Sequence, residues 1–300
     1  FGGNSGGSHF STNHHYNGTS WSAGGALIIA TGDSHTAGTE YAALSVGGTA
    51  SYLVNTFEYY GQTWAAGGNL GTGRSYGAGF GLQNAALVAG GRTSPSPFNG
   101  ETEQYNGSTW SEVADLITDV IGNAGGGTVN AGISYGGQNS SPAIVTCTEL
   151  WDGSSWTATT GMITARLNHG GSGLQNSAVA FGGQPGPVFG ATTEEWNGTA
   201  WSTTGALSTA RYSSRNFTAH AHSAIMAGGR NPGVVSCTEE YTGYVASASF
   251  GRVDATTIVG SGIGLKNCMP EGVLSSSFQI ERDISGSFLY GVDGLTGTIG

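Results

Sequence analysis

Arg74-Ser-Tyr-Gly-Ala-Gly-Phe-Gly-Leu-Gln-Asn-Ala-Ala-Leu-Val-Ala-Gly-Gly91 and, one variable loop later, Thr102-Glu-Gln-Tyr-Asn-Gly-Ser-Thr-Trp110 contain every element of the fold. The first nine residues read as a Gly-rich strand, whose missing side chains permit close approach near a crowded axis. Gln83-Asn84 is a turn. Ala85 to Gly91 is a continuous apolar strand, the pattern of a strand covered on both faces. Thr102 to Tyr105 is a third strand, and Asn106-Gly107 a two-residue hairpin, because a type I′ turn needs φ > 0 at both central residues. Thr109-Trp110-Ser111 opens the outer strand.

The unit recurs. Gly-Gly pairs begin at residues 2, 47, 90, 136, 182 and 228, spaced by 45, 43, 46, 46 and 46. Trp21, Trp64, Trp110, Trp156 and Trp201 keep the same beat. A period near 45 with four short apolar bursts is the sequence form of a β-propeller. The turn recurs as Asn17-Gly18, Asp152-Gly153 and Asn197-Gly198, with Tyr60-Gly61 and Thr242-Gly243 as variants. Each turn follows an aromatic (Tyr16, Tyr59, Tyr105, Trp151, Trp196 or Tyr241), which sits five residues before the tryptophan and is placed to stack with it between blades.

These residues resemble kelch repeats, which order a Gly-rich inner strand, an apolar strand ending in Gly-Gly, an aromatic third strand and a Trp-bearing fourth. The resemblance implies an all-β, kelch-like β-propeller of inner-to-outer antiparallel blades over residues 1–245. Six blades is the count of the units. The first unit starts at its second strand, and Ala246 stands where the last should carry its outer Trp. The ring therefore closes with mixed strands or further sequence precedes Phe1, and seven blades is the alternative. Phe1 is not an initiator Met and no signal peptide is visible, so the chain reads as a processed or partial segment.

Composition narrows the function. Glycine is 55 of 300 residues, charged residues are 9%, Lys266 is the single lysine and the net charge is −10. Without clustered Lys and Arg to neutralise phosphates, nucleic-acid binding is not expected. No run of 18 apolar residues is available to span a membrane. Cys147 and Cys237 occupy one repeat position two units apart, too far for a disulfide, and read as small buried thiols. Cys268 makes the count odd, and no Cys-x-x-Cys supports a zinc or redox role.

After Tyr244 the register is lost. Residues 249–259 read as one strand and 277–285 as a short helix, in a small C-terminal β-rich attachment segment, 246–300, too poor in apolar residues for its own core. Ala248-Ser-Phe-Gly-Arg-Val-Asp-Ala-Thr-Thr, Val273-Leu-Ser-Ser-Ser-Phe-Gln-Ile, Asp283-Ile-Ser-Gly-Ser-Phe and Leu295-Thr-Gly-Thr-Ile resemble segments of tail-fibre and appendage proteins of marine cyanobacterial tailed phages. That resemblance implies a virion structural protein on the particle exterior, its tail contacting other virion proteins and assembling a homo-oligomer, with a trimer favoured.

Glu103, Glu149, Glu194 and Glu239 share one strand position, and Arg74, Arg166 and Arg211 recur at the head of the inner strand. Repeated acids and bases are expected to form ion pairs between blades, a framework duty shared with the five tryptophans. His14-His15 replace the Glu-Glu of other units and are expected at an edge or in solvent. His220 and His222 share a strand face, but no carboxylate or third His completes a metal site. No catalytic set, metal or cofactor is expected. Asn17, Asn106 and Asn197 match the glycosylation sequon, which their hairpin position explains.

Six variable loops (4–12, 49–55, 93–101, 139–146, 185–192 and 231–236) leave the Gly-Gly strands on one rim. Divergent loops on a repeated framework form a binding arrangement. Phe98 and Phe189 are exposed candidates there, with Asn99, Asn139 and Asn231, for a host-surface glycan or protein. The alternatives are a secreted or cell-surface bacterial adhesin or sugar-binding propeller and, more remotely, a kelch-type oxidase or lyase.

Overall fold

The structure, a computed structural model, describes residues 1–242 apart from 6, 50, 95, 96, 142 and 213–220. The expected strand at 249–259, the helix at 277–285, the boundary at 245, His220 and Cys268 lie outside the described residues. Four units form complete antiparallel sheets in sequence order. They are His35–Gly38, Ala43–Val46, Thr56–Tyr59 and Trp64–Ala66 in the second unit. The third comprises Ala78–Leu82, Ala85–Thr93, Asn99–Tyr105 and Trp110–Val113, the fourth Ala124–Thr128, Ala131–Tyr135, Thr148–Trp151 and Trp156–Ala158. The fifth comprises Gly170–Leu174, Ser177–Phe181, Thr193–Trp196 and Trp201–Thr204. The first unit shows His14–Tyr16 paired with Trp21–Ala23, and the sixth Ala224–Ala227 paired with Thr238–Tyr241.

The reading of one unit holds for its strands and is corrected at its turn. Ala86, Leu87, Val88 and Ala89 are all buried, as a strand covered on both faces requires. The turn differs from the expected two-residue hairpin: Tyr105 lies opposite Trp110, so Asn106 to Thr109 form a four-residue loop. Of Asn106 and Gly107 only Gly107 has positive φ, at +90, because the Asn106 side chain accepts the Ser108 and Thr109 amides and builds the longer turn. Glycines of the inner and second strands make room for the neighbouring sheet. A Cβ on Gly126 would stand 2.4 Å from the carbonyl oxygen of Gly173, and one on Gly132 2.6 Å from the Phe80 ring.

One hydrogen-bond pattern joins successive units. The indole of each outer strand donates to the threonine that opens the preceding unit's third strand: Trp110 to Thr56 at 2.8 Å, Trp156 to Thr102 at 3.1 Å, Trp201 to Thr148 at 3.0 Å. Trp64 has Asn13 at that register and donates to the Gly25 carbonyl instead. Trp21 of the first unit donates to Thr238 of the sixth at 2.9 Å, so the pattern returns to its start.

A run of backbone hydrogen bonds also links four successive units. Asp33, Tyr76, Gly122 and Asn168 hold one position, at the head of the inner strand in four successive units. All four have positive φ, between 51 and 66. The Tyr76 amide donates to the Asp33 carbonyl, Gly122 to Tyr76 and Asn168 to Gly122, at 3.1, 2.6 and 2.9 Å. Three non-glycine residues hold this left-handed conformation, which costs free energy unless surrounding bonds impose it.

Candidate functional site

The repeated acids and bases were expected to pair between blades; the structure pairs them within one unit. Arg74 reaches Glu103 at 2.5 Å, Arg166 reaches Glu194, and Arg211 reaches Glu239. The correction follows from chain geometry. The arginine lies on the connector that enters its own unit, and that connector passes the third strand before the inner strand begins. Each glutamate also accepts two amides of the connector, as from Gly71 and Thr72 on Glu103, and from Ile163 and Thr164 on Glu194. Each arginine further donates to the carbonyl two residues before its glutamate: Glu101, Thr192 or Cys237.

Glu149 is the exception. It accepts from the amides of Ile117 and Thr118, but Val120 holds the arginine position and is buried in the core. Burial therefore pushes the Glu149 carboxyl up, against those two amides. On Glu239 burial also pushes upward but is outweighed by the Ser208 and Thr209 amides and by the Arg211 charge, leaving the carboxyl low.

The aromatics before the turns do stack with their tryptophans. Tyr16–Trp21, Tyr59–Trp64, Tyr105–Trp110, Trp151–Trp156 and Trp196–Trp201 have ring centroids 4.8 to 5.7 Å apart. These contacts lie inside one hairpin. Between units it is the tryptophan that meets a ring of the preceding sheet, Trp201 on Tyr135 at 4.9 Å and Trp156 edge-on to Phe80 at 6.5 Å, and polar links run beside this packing. Tyr105 donates to Glu58, Tyr241 to Glu195 and Tyr16 to Glu240. His15 stands at the same register, its Nε2 2.6 Å from the Tyr59 hydroxyl and its Nδ1 3.4 Å from Glu40. His15 is therefore a half-buried link between units, contrary to its expected place at an edge, whereas His14 is exposed. Where the preceding unit offers Gln104 or Leu150, the aromatic is Trp151 or Trp196, each bonded to a carbonyl of its own unit.

The thiols also depart from expectation. Cys147 is half-buried, its thiol pushed up to about 12 by burial, but Cys237 is exposed, with Sγ 2.8 Å from Arg211. The loop of the sixth unit leaves Cys237 at its margin, while in the fourth unit Gly136 and neighbouring apolar groups cover Cys147. His222 lies 3.3 Å from Ser177 and 3.4 Å from Glu195.

The variable loops share an edge with the connectors between units. The amides of Leu27, Leu70, Leu116, Met162 and Leu207 donate to Ser11, Val54, Gly100, Thr146 and Ala191, so each connector is bonded to the loop of the unit it leaves. The candidate residues are braced within that rim. Asn99 Oδ1 accepts the Glu101 amide, and Asn139 Oδ1 accepts those of Ser141 and Ala143. Asn231 pairs with Gly233 in a short hairpin. Phe98 and Phe189 are half-buried instead of exposed, and Phe189 stacks on Tyr212 at 4.9 Å. On the opposite edge, Asn17, Asn106 and Asn197 each accept two amides of their own turns. Asp152 does the same with Ser154 and Ser155, whose hydrogen bonds hold its carboxyl at about 2.

Apolar side chains project from the rim among its polar ones. Ile28, Ile117 and Ile163 hold one connector position and are 55%, 61% and 57% exposed. Val188 and Val234 are exposed on the loops of the fifth and sixth units. These isoleucines were not among the residues expected on the rim. The signal that could have found them is an apolar pair at the repeat period, Leu27-Ile28, Leu116-Ile117 and Met162-Ile163, whose first member is buried and second is not. Clamping the Ile117 and Ile163 amides on Glu149 and Glu194 fixes those side chains outward.

No family model and no curated protein matches the chain in sequence. Among solved structures, that of YjhT superposes with a TM-score of 0.67, over 82% of this chain and 94% of that one, at 12% identity. The fold is that of a kelch-like β-propeller. At that identity the likeness concerns the fold alone. Among the described residues, no group of three His, Cys, Asp or Glu is placed to hold a metal ion.

Proposed function

We propose that the chain is a six-bladed, non-enzymatic propeller of a phage virion appendage, and that its connector-and-loop rim binds a host-surface or virion protein. The exposed series Ile28, Ile117 and Ile163 carries this reading. These side chains stand at one repeat position and face solvent beside loops that differ from unit to unit, and the backbone of Ile117 and Ile163 is clamped by the buried Glu149 and Glu194. Apolar anchors on a rigid edge, surrounded by polar loops rich in Ser, Asn and Gly, are the composition of a protein-binding face. The buried Arg and Glu pairs are occupied in holding connectors, so the repeated charges support a framework duty. The return of the Trp and Tyr contacts from the sixth unit to the first supports the six-bladed count. The appendage assignment rests on the resemblance of the tail segments.

Electron microscopy of virions labelled with antibody to residues 1–242 tests the location, and labelled tail or neck structures are the expected result. Ile117→Ser with Ile163→Ser tests the rim. The double variant should keep its melting temperature and lose at least ten-fold in binding to host cells or to virions lacking the protein. Unchanged binding would overturn the rim assignment.

A further inference from the structure

At the interface between the fifth and sixth units the described residues include the slot for an indole and no indole. A concavity there is lined by Phe181, Thr193, Leu207, Met226, Glu239 and Tyr241, among others. By repeat register these are the counterparts of Ala89, Thr102, Leu116, Ser134, Glu149 and Trp151 two periods earlier, where Ala89, Leu116 and Trp151 pack with Trp156 and Thr102 accepts its indole N–H. Thr193 is the counterpart of Thr56, Thr102, Thr148 and Thr238, each of which accepts from a tryptophan Nε1. No indole stands on Thr193 among the described residues. Nor can the chain supply one from its remaining sequence, since Ala246 holds the register position and no tryptophan follows Trp201.

We propose that this slot binds a tryptophan side chain carried on an extended segment of a partner polypeptide. The chemistry is that of the occupied sisters. Phe181, Leu207 and Met226 form an apolar wall, Tyr241 offers a ring for stacking, and the Thr193 hydroxyl accepts the indole N–H. The polypeptide source follows from delivery, because in every sister slot the indole arrives on a strand running antiparallel to the unit's third strand. The site lies between two blades, apart from the isoleucine series, and does not rest on the rim reading.

Methyl-labelled methionine gives a direct readout, since the chain has only Met162, Met226 and Met269. Met226 lines the empty slot, whereas Met162 packs in the filled one beside Trp201 and serves as an internal reference. The full chain is titrated with a peptide of its own sequence from Asn106 to Ser111, which carries one tryptophan. The Met226 methyl should shift and that of Met162 stay fixed, and the same peptide with alanine for tryptophan should leave both unmoved. Thr193→Val should weaken binding about five-fold through loss of one hydrogen bond. Ala246→Trp should move Met226 without peptide and block the titration. An unmoved Met226, or equal binding by Thr193→Val, would overturn the proposal even if Ala246→Trp fails to fold. Binding of N-acetyl-tryptophanamide as tight as that of the peptide would overturn the polypeptide source.

Discussion

The hydroxyl of Tyr105 donates to Glu58 Oε1 at 2.5 Å, joining the third strand of one blade to the same strand of the blade before it. Burial and this carboxylate push the phenol up to about 12. The choice of Tyr or Trp before each turn follows the residue at the Glu58 register one unit earlier. Tyrosine follows His15, Glu58, Glu195 and Glu240, whereas tryptophan follows Gln104 and Leu150. Tyr105→Phe should therefore cost about 1 kcal/mol, and a double-mutant cycle with Glu58→Gln should show coupling of about the same size. Denaturant melts of the four proteins check this, and strict additivity would refute the link.

Arg166 and Glu194 are both buried, and neither has solvent to screen it. Arg166→Val, which copies the Val120 of the neighbouring unit, leaves a buried carboxylate without its cation. The expected loss is about 3 to 5 kcal/mol, read as a fall in the urea midpoint. Arg74→Val should cost less, because its second partner, Glu101, is one-third exposed and its loop is closer to water.

Glu149 and Glu239 should give stability opposite slopes with pH. The Glu149 carboxyl is raised in the folded state, so its contribution is complete below the ordinary glutamate range and is lost as pH rises through the raised value. The Glu239 carboxyl is lowered, so its contribution is present above the ordinary range and is lost as pH falls through the lowered value. Carboxyl carbon NMR should place the two midpoints on either side of the ordinary one. Melting curves of Glu149→Gln should lack the decline on the alkaline side of that range.

Gly126 has ordinary φ, yet a Cβ there would overlap the Gly173 carbonyl at 2.4 Å. Gly126→Ala should thus destabilise by about 2 kcal/mol through overpacking alone. Gly186, on a rim loop with nothing within 4 Å of a Cβ, is the control, and Gly186→Ala should leave the melting temperature unchanged.

Local patterns were legible because the repeat writes them six times. The Gly-Gly strand end, the Asx-Gly turn and the five-residue spacing of Tyr105 to Trp110 each depend on neighbours within one unit. Contacts whose partners are set by chain path were less legible. Arg166 and Glu194 announce an ion pair, but only the route of the connector decides that both belong to one blade. The link from Tyr105 to Glu58 needs a comparison of position n with position n − 1 around the ring, which periodicity alone does not prompt. The outward isoleucines escaped because an apolar pair such as Leu116-Ile117 reads as core, until the Glu149 clamp shows which member turns away.

The run of backbone hydrogen bonds through Asp33, Tyr76, Gly122 and Asn168 has a mechanical meaning. It ties four staves in series: a pull on one is shared by its neighbours, because each of these main-chain bonds belongs to two of them. A pull on any of these four units is thus resisted by peptide groups placed head to tail, in addition to the side-chain packing between neighbouring sheets.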